Sequence, residues 1–164
     1  QTLKTRFQCK WKIIASSGFK TAELTKMLTV NPKEGFEIAI LTIGINDITA
    51  GRSAQRWKKQ ILNLSQILRK DYKVSTIIFC GIPPIKKLTI IPFPLKQILS
   101  LKAYIYNLHL KEVCSSEKGA HFVSHDFPIN NETMANDLLH PGKLYYELWA
   151  QKISDKLLKI FEKN

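Results

Sequence analysis

Asp137 and His140 stand three residues apart in Asp137-Leu138-Leu139-His140-Pro141, just ahead of a segment with helical apolar spacing. At that spacing the two side chains can meet within one turn. A carboxylate bonded to one imidazole nitrogen fixes the tautomer and leaves the other nitrogen able to accept a proton. An Asp–His turn also serves purely structural ends, and both readings stay open on these residues alone. Asn46 follows an apolar run and a glycine, in Gly44-Ile45-Asn46-Asp47. Its amide can donate to a developing oxyanion, or it can simply be a turn residue. Gly18, after Ser16-Ser17, offers an unobstructed backbone N–H or the freedom a turn needs.

The elements that would position these residues can be read from hydrophobic spacing. Lys10–Ala15 predicts a short strand ending at Ser16-Ser17-Gly18, and Thr21–Leu28 a short helix. Phe36–Ile43 is a near-continuous apolar run between glycines, the pattern of a strand buried on both faces. Ala54, Trp57, Ile61, Leu64 and Leu68 mark an amphipathic helix that Ser53 can cap. Val74–Cys80 is the next buried strand. Residues 81–94 hold four prolines and must be a long loop. Ile98, Leu101, Ile105 and Leu108 give the helical period of Leu95–Cys114, and Ala120–Val123 is a short strand. A last helix follows Pro141, placed at its first position, with Leu144, Leu148, Trp149, Ile153, Leu157 and Ile160 on its apolar face. Strand and helix alternate four times, which predicts a parallel sheet with helices on both faces. In such a sheet, ligands bind outside the carboxyl ends of the strands. Gly18, Asn46 and the Asp137–His140 pair all fall at that edge.

Together these blocks resemble the SGNH (GDSL-type) hydrolases. Gly44-Ile45-Asn46-Asp47 is similar to that family's G-x-N-D block, and Asp137-Leu138-Leu139-His140-Pro141, some ninety residues later, to its D-x-x-H-P block. Ile14-Ala15-Ser16-Ser17-Gly18 resembles the block that supplies an oxyanion-hole glycine, and Gly81-Ile82-Pro83-Pro84 resembles a bacterial branch. The likeness runs from about residue 10 to the C-terminus. It implies a flavodoxin-like three-layer α/β/α fold with a parallel sheet and hydrolysis of carboxylic esters. By position, His140 would be the general base and then the general acid, and Asp137 would orient it. The Gly18 N–H and the Asn46 side chain would bind the oxyanion, and Asp47 would shape the loop. No metal or organic cofactor is implied, and the substrate would be a small-molecule or lipid-like ester.

The family's nucleophile sits in a Gly-Asp-Ser block, which this sequence lacks, as it lacks a G-x-S-x-G elbow. Gln1–Phe7 reads as the tail of a first helix, so the first β-α unit is expected to be missing from a single domain, residues 1–164, truncated at its N-terminus. The chain itself is then expected to be inactive and a poor folder, because the first strand of a 2-1-3-4-5 sheet is interior. Ser16 and Ser17 are weak replacements: standing next to the oxyanion glycine does not set a hydroxyl beside the imidazole. A non-catalytic binding module that keeps the fold is the alternative.

Net charge is +12, from 25 Lys+Arg against 13 Asp+Glu. The lysines are spread along the chain without a block of like charges, and no basic and aromatic residues interleave on a strand. A nucleic-acid partner is therefore not expected, though charge alone would allow one. No apolar run approaches the ~20 residues of a membrane span. Cys9, Cys80 and Cys114 are an odd set without metal-type spacing, and lean toward a reducing, cytoplasmic compartment. His109, His121 and His125 read as structural or exposed, and Trp11, Trp57 and Trp149 as packing residues.

Overall fold

A computed structural model describes residues 9–162. Three parallel strands form the sheet, in the order β1 (Ile38–Leu41), β2 (Thr76–Cys80) and β3 (Ala120–Val123). Ile40 lies beside Ile78, and Cys80 beside Val123. Five helices accompany the strands: α1 (Thr21–Val30), α2 (Ile45–Thr49), α3 (Ala54–Tyr72), α4 (Leu95–Ser116) and α5 (Lys143–Phe161).

The alternation of a strand divides the core in two. Ile77 and Phe79 of β2 point to one face, where Leu24, Trp57, Ile61, Leu64, Tyr106 and Leu110 of α1, α3 and α4 cover them. Ile78 and Cys80 point to the other, against Leu157 of α5, with Trp149 and Ile153 packed alongside. Helices thus lie on both faces of the sheet; β2, in the run Val74–Cys80, is buried as its apolar pattern predicts, whereas β1, in the run Phe36–Ile43, is not buried on both faces. Burial on this second face pushes the Cys80 thiol up to about 11, so it behaves as a small hydrophobe.

Local signals explain the helix boundaries. Ser53 Oγ accepts the Arg56 N–H at 3.2 Å and caps α3, which ends at Lys73 in the left-handed region, φ 58°. Trp57 then reaches across and stacks on Tyr106 of α4, with ring centroids 4.2 Å apart. α1 begins where Lys20 N donates to Glu23 at 2.9 Å, and Thr21 N donates to the buried Asp47 at 3.0 Å.

Several expectations are corrected. Lys10–Ala15 forms no strand: this stretch carries no ladder, and Lys10 and Lys12 are tied instead to Glu34, at 2.6 and 3.4 Å. It does not pair with the free edge of β1, so among the described residues the sheet has three strands and not four. Trp11, in this stretch, is 71% exposed and does not pack. On α4 the core face is Ala103, Tyr106, Leu110 and Val113, whereas Ile98, Leu101 and Leu108 face outward. The helix is apolar on both sides, and Tyr106 is the residue that finds Trp57. On α5, Leu144 and Leu148 are likewise exposed. Pro141 precedes the helix instead of opening it. It bridges to Met134, and Gly142 takes the N-cap position, where a Cβ would meet the Met134 carbonyl at 2.9 Å. The reading of Gln1–Phe7 as a helix tail falls outside the described residues.

Among the described residues, β1 pairs only with β2. Ile40, on the α5 side of β1, is 49% exposed, in contrast to its neighbour Ile78 at 0%. α5 covers the β2–β3 half of that face, Ile38 of β1 packs at its margin, and Ile40 is left open.

Candidate active site

The turn that follows β3 builds the Asp–His pair. Ala135 N donates to the His140 carbonyl at 2.8 Å, and Leu138 N to the Ala135 carbonyl at 2.9 Å. Leu138 sits in the left-handed region, φ 54°, which costs a leucine about 1–2 kcal/mol. That conformation lets the chain fold back on the Asp137 carboxylate. Asp137 Oδ1 accepts the backbone N–H of Leu139 at 3.0 Å and of His140 at 2.9 Å, while Oδ2 accepts His140 Nδ1 at 2.6 Å. The backbone N–H of His140, then its side chain, then the N–H of Leu139 hold the Asp137 carboxyl well below the usual carboxylate range. Charged at neutral pH, it fixes the imidazole with Nδ1 as donor and Nε2 as the remaining acceptor. Both side chains are exposed.

The second group lies beyond the carboxyl end of β1. Asn46 Nδ2 donates to the Phe19 carbonyl at 2.9 Å, which brings the amide to the residue after Gly18. One amide hydrogen is spent on that contact and the other remains. Gly18 is exposed with φ 75°, and space for a Cβ is open around it, so the turn geometry and not crowding calls for glycine. Asp47 is fully buried and does no visible chemistry. Its Oδ2 accepts both Thr21 N, at 3.0 Å, and Thr21 Oγ1, at 2.9 Å, and Trp57 Nε1 donates to that same hydroxyl at 2.8 Å. Asp47 thereby ties the start of α1 to the short helix α2, which carries Asn46.

Gly44 sets where that segment leaves the strand. Its φ is 122°, and a Cβ would stand 2.8 Å from Trp57 Cζ2 and 3.1 Å from Ile82 Cδ1. Gly44→Ala is expected to destabilise the protein by about 1–3 kcal/mol, since backbone strain and a clash with a buried ring act together. Denaturant titration against the unaltered chain measures it, and a change under 0.5 kcal/mol would contradict this account of the loop.

The sequence-derived residues therefore meet in two groups: Asp137 with His140, and Asn46 with the Gly18-Phe19 step. No hydrogen bond among the described residues joins the groups. None joins Ser16 or Ser17 to His140. Sequence reasoning missed two features near the end of β3. Asp126 pairs with Lys152, which donates to Ser124 Oγ at 3.1 Å. Burial pushes the Lys152 ammonium below its ordinary value, and the contact with Ser124 has the ammonium as donor. His125 is buried among Phe127, Tyr145 and Trp149 and shares a 2.7 Å hydrogen bond with Tyr145 Oη. Burial, with Lys152 nearby, pushes His125 down to about 4, so it is a neutral packing residue. No spacing rule links positions 125, 145 and 149. A concavity of about 910 Å³ lies at the amino ends of β2 and β3 between Arg69, Lys118, His121 and Lys156. It touches none of the four site residues. Hydrogen-bond geometry, and not cavity size, marks the candidate site.

No family model and no curated protein matches the chain. Solved structures do. The psychrotrophic esterase EstA from Pseudoalteromonas sp. is 17% identical, with a TM-score of 0.64 over 89% of this chain and 75% of its own. A carbohydrate esterase family 3 enzyme from Talaromyces cellulolyticus is 15% identical, with a TM-score of 0.63 over 90% of this chain and 70% of its own. The salicylyl-acyltransferase SsfX3, from a tetracycline biosynthetic pathway, is 12% identical, with a TM-score of 0.56 over 84% of this chain but 41% of its own. The architecture is a three-layer α/β fold with a parallel sheet. It is the fold of SGNH-type esterases, which the sequence resemblance implied.

Proposed function

We propose that these residues form the acid–base and oxyanion part of a serine ester hydrolase, and that the nucleophilic serine comes from a segment outside these 164 residues. In this reading the serine Oγ attacks the ester carbonyl while His140 Nε2 takes its proton. Asp137 steadies the imidazolium that forms. The carbonyl oxygen, now an anion, is held by the Gly18 N–H and the spare Asn46 amide hydrogen. His140 returns the proton to the departing alcohol, and water repeats the sequence on the acyl-enzyme. No metal or organic cofactor takes part.

The observation that carries the reading is the three-donor grip on Asp137, with His140 Nδ1 at 2.6 Å. A purely structural turn needs the two backbone donors and has no use for an exposed imidazole presented with one nitrogen open. The fold shared with two esterases supports the reaction class. The free edge of β1 and the open face at Ile40 support a further strand and helix supplied from elsewhere in the polypeptide.

The test is to read the coding sequence in frame upstream of Gln1 and express the longer product. A strand followed by Gly-Asp-Ser, with hydrolysis of p-nitrophenyl esters by that product and not by the 164-residue chain, is the expected result. An upstream frame without that serine would remove catalysis and leave the non-catalytic binding module.

A further inference from the structure

The outward face of α4 is apolar where a surface helix should be polar. Phe93, just before the helix, is 80% exposed, and Leu101 and Tyr104 are each 61% exposed. Ile98 and Leu108 extend the same stripe at helical spacing, away from the Ala103, Tyr106, Leu110 and Val113 face that packs on the core; Leu95 is exposed in the first turn but lies on the core side of the helix. A helix apolar on both sides is normally covered on both, and a contiguous exposed stripe of this kind marks an interaction surface. The preceding loop is not loose: Ile85 and Leu88 are buried in the core and fix it, while Ile90 and Phe93 project outward.

The charge around the stripe identifies what covers it. Residues 72–111 contain six lysines, at 73, 86, 87, 96, 102 and 111, and no aspartate or glutamate; the one acidic residue of α4, Glu112, is already paired with Lys58 and His109. Lys86 and Lys87 lie on the loop beside α4, and Lys96 and Lys102 stand on the helix itself. None of these four makes an ion pair among the described residues. A second copy of this face would set lysine against lysine. An apolar stripe with aromatic residues and an unneutralised lysine rim has the composition of a helix lying in the plane of an anionic bilayer. No helix of the structure is long and apolar enough to cross a membrane, which leaves docking on the surface as the membrane mode open to α4.

We propose that the outer face of α4, with the loop at Ile90 and Phe93, docks on an anionic lipid surface, the lysines pairing with headgroup phosphates and the stripe entering the acyl boundary. This does not depend on the esterase reading; vesicle binding would stand even if no ester were hydrolysed.

The experiment is co-sedimentation of the natural polypeptide that contains these 164 residues with vesicles of phosphatidylcholine alone or with phosphatidylglycerol added. Binding is expected only with the anionic lipid, and to fall as salt rises. Leu101→Ser with Tyr104→Ser should weaken it by about tenfold or more, through lost apolar burial. Lys96→Glu with Lys102→Glu should weaken it at least as much. Leu144→Ser with Tyr146→Ser, on the exposed part of α5, should leave it unchanged. That pair guards against adhesion of unfolded chain, which would respond to both double substitutions alike. Absence of binding, equal binding to neutral vesicles, or equal loss in the α4 and α5 variants would overturn the proposal. A concentration-dependent dimer in sedimentation velocity that Leu101→Ser abolishes would overturn it as well, in favour of a second copy.

Discussion

His140→Ala is expected to lower kcat for ester hydrolysis by about ten-thousand-fold or more, in the longer polypeptide that carries the nucleophilic serine, with little change in KM. The imidazole makes its contribution as the proton moves, so its loss acts on the transition state and not on ground-state binding. The exposure of His140 makes a folding artefact an unsatisfactory explanation of such a loss, because little packing goes with the ring. Asp137→Asn should follow the same direction with a smaller effect. Its carboxamide can still accept a backbone N–H but cannot stabilise an imidazolium. Steady-state kinetics on a p-nitrophenyl ester measures both. A His140→Ala enzyme within tenfold of the parent would remove His140 from the chemistry.

Asn46→Ala is expected to lower kcat by about a hundred- to a thousand-fold, the range for loss of one oxyanion donor. Asn46 also holds the Phe19 carbonyl at 2.9 Å, so the variant could act by shifting Gly18 instead. Both roles use a hydrogen on Nδ2, so the kinetic and thermal readouts together, and not a second substitution, separate them. A fall in kcat with unchanged KM and unchanged thermal midpoint supports the donor role. A loss confined to stability would make Asn46 a loop anchor only.

The parts of the fold that were legible in the sequence are those with signals of more than one kind. α3 has a cap at Ser53, a period from Ala54 to Leu68 and a left-handed stop at Lys73, and β3 was delimited as Ala120–Val123. The Asp137–His140 contact was legible because a three-residue turn leaves few other arrangements. Where one signal stood alone it misled. Lys10–Ala15 reads as a short strand, but a strand also needs a partner, and no ladder among the described residues reaches residues 10–15 although one edge of β1 is free. The period of α4 marks a helix but does not say which face packs, since both faces are apolar; in the structure Tyr106 stacks on Trp57 and Ala103, Leu110 and Val113 share its side. Pro141 fits a first helical position by its own φ, yet the Met134 bridge and the Gly142 cap displace it by two residues. The His125–Tyr145 contact was illegible because it joins a strand end to a helix twenty positions on, through packing alone.

The central claim is that His140 serves a nucleophilic serine supplied outside these 164 residues. Labelling with a fluorophosphonate, which reacts with a serine only when a base has activated it, tests that most directly. In the longer polypeptide, mass spectrometry is expected to find a single adduct on the serine of a Gly-Asp-Ser segment, absent from the 164-residue chain and lost on His140→Ala. An adduct that forms equally well without His140, or on a serine within the 164 residues, would contradict the account.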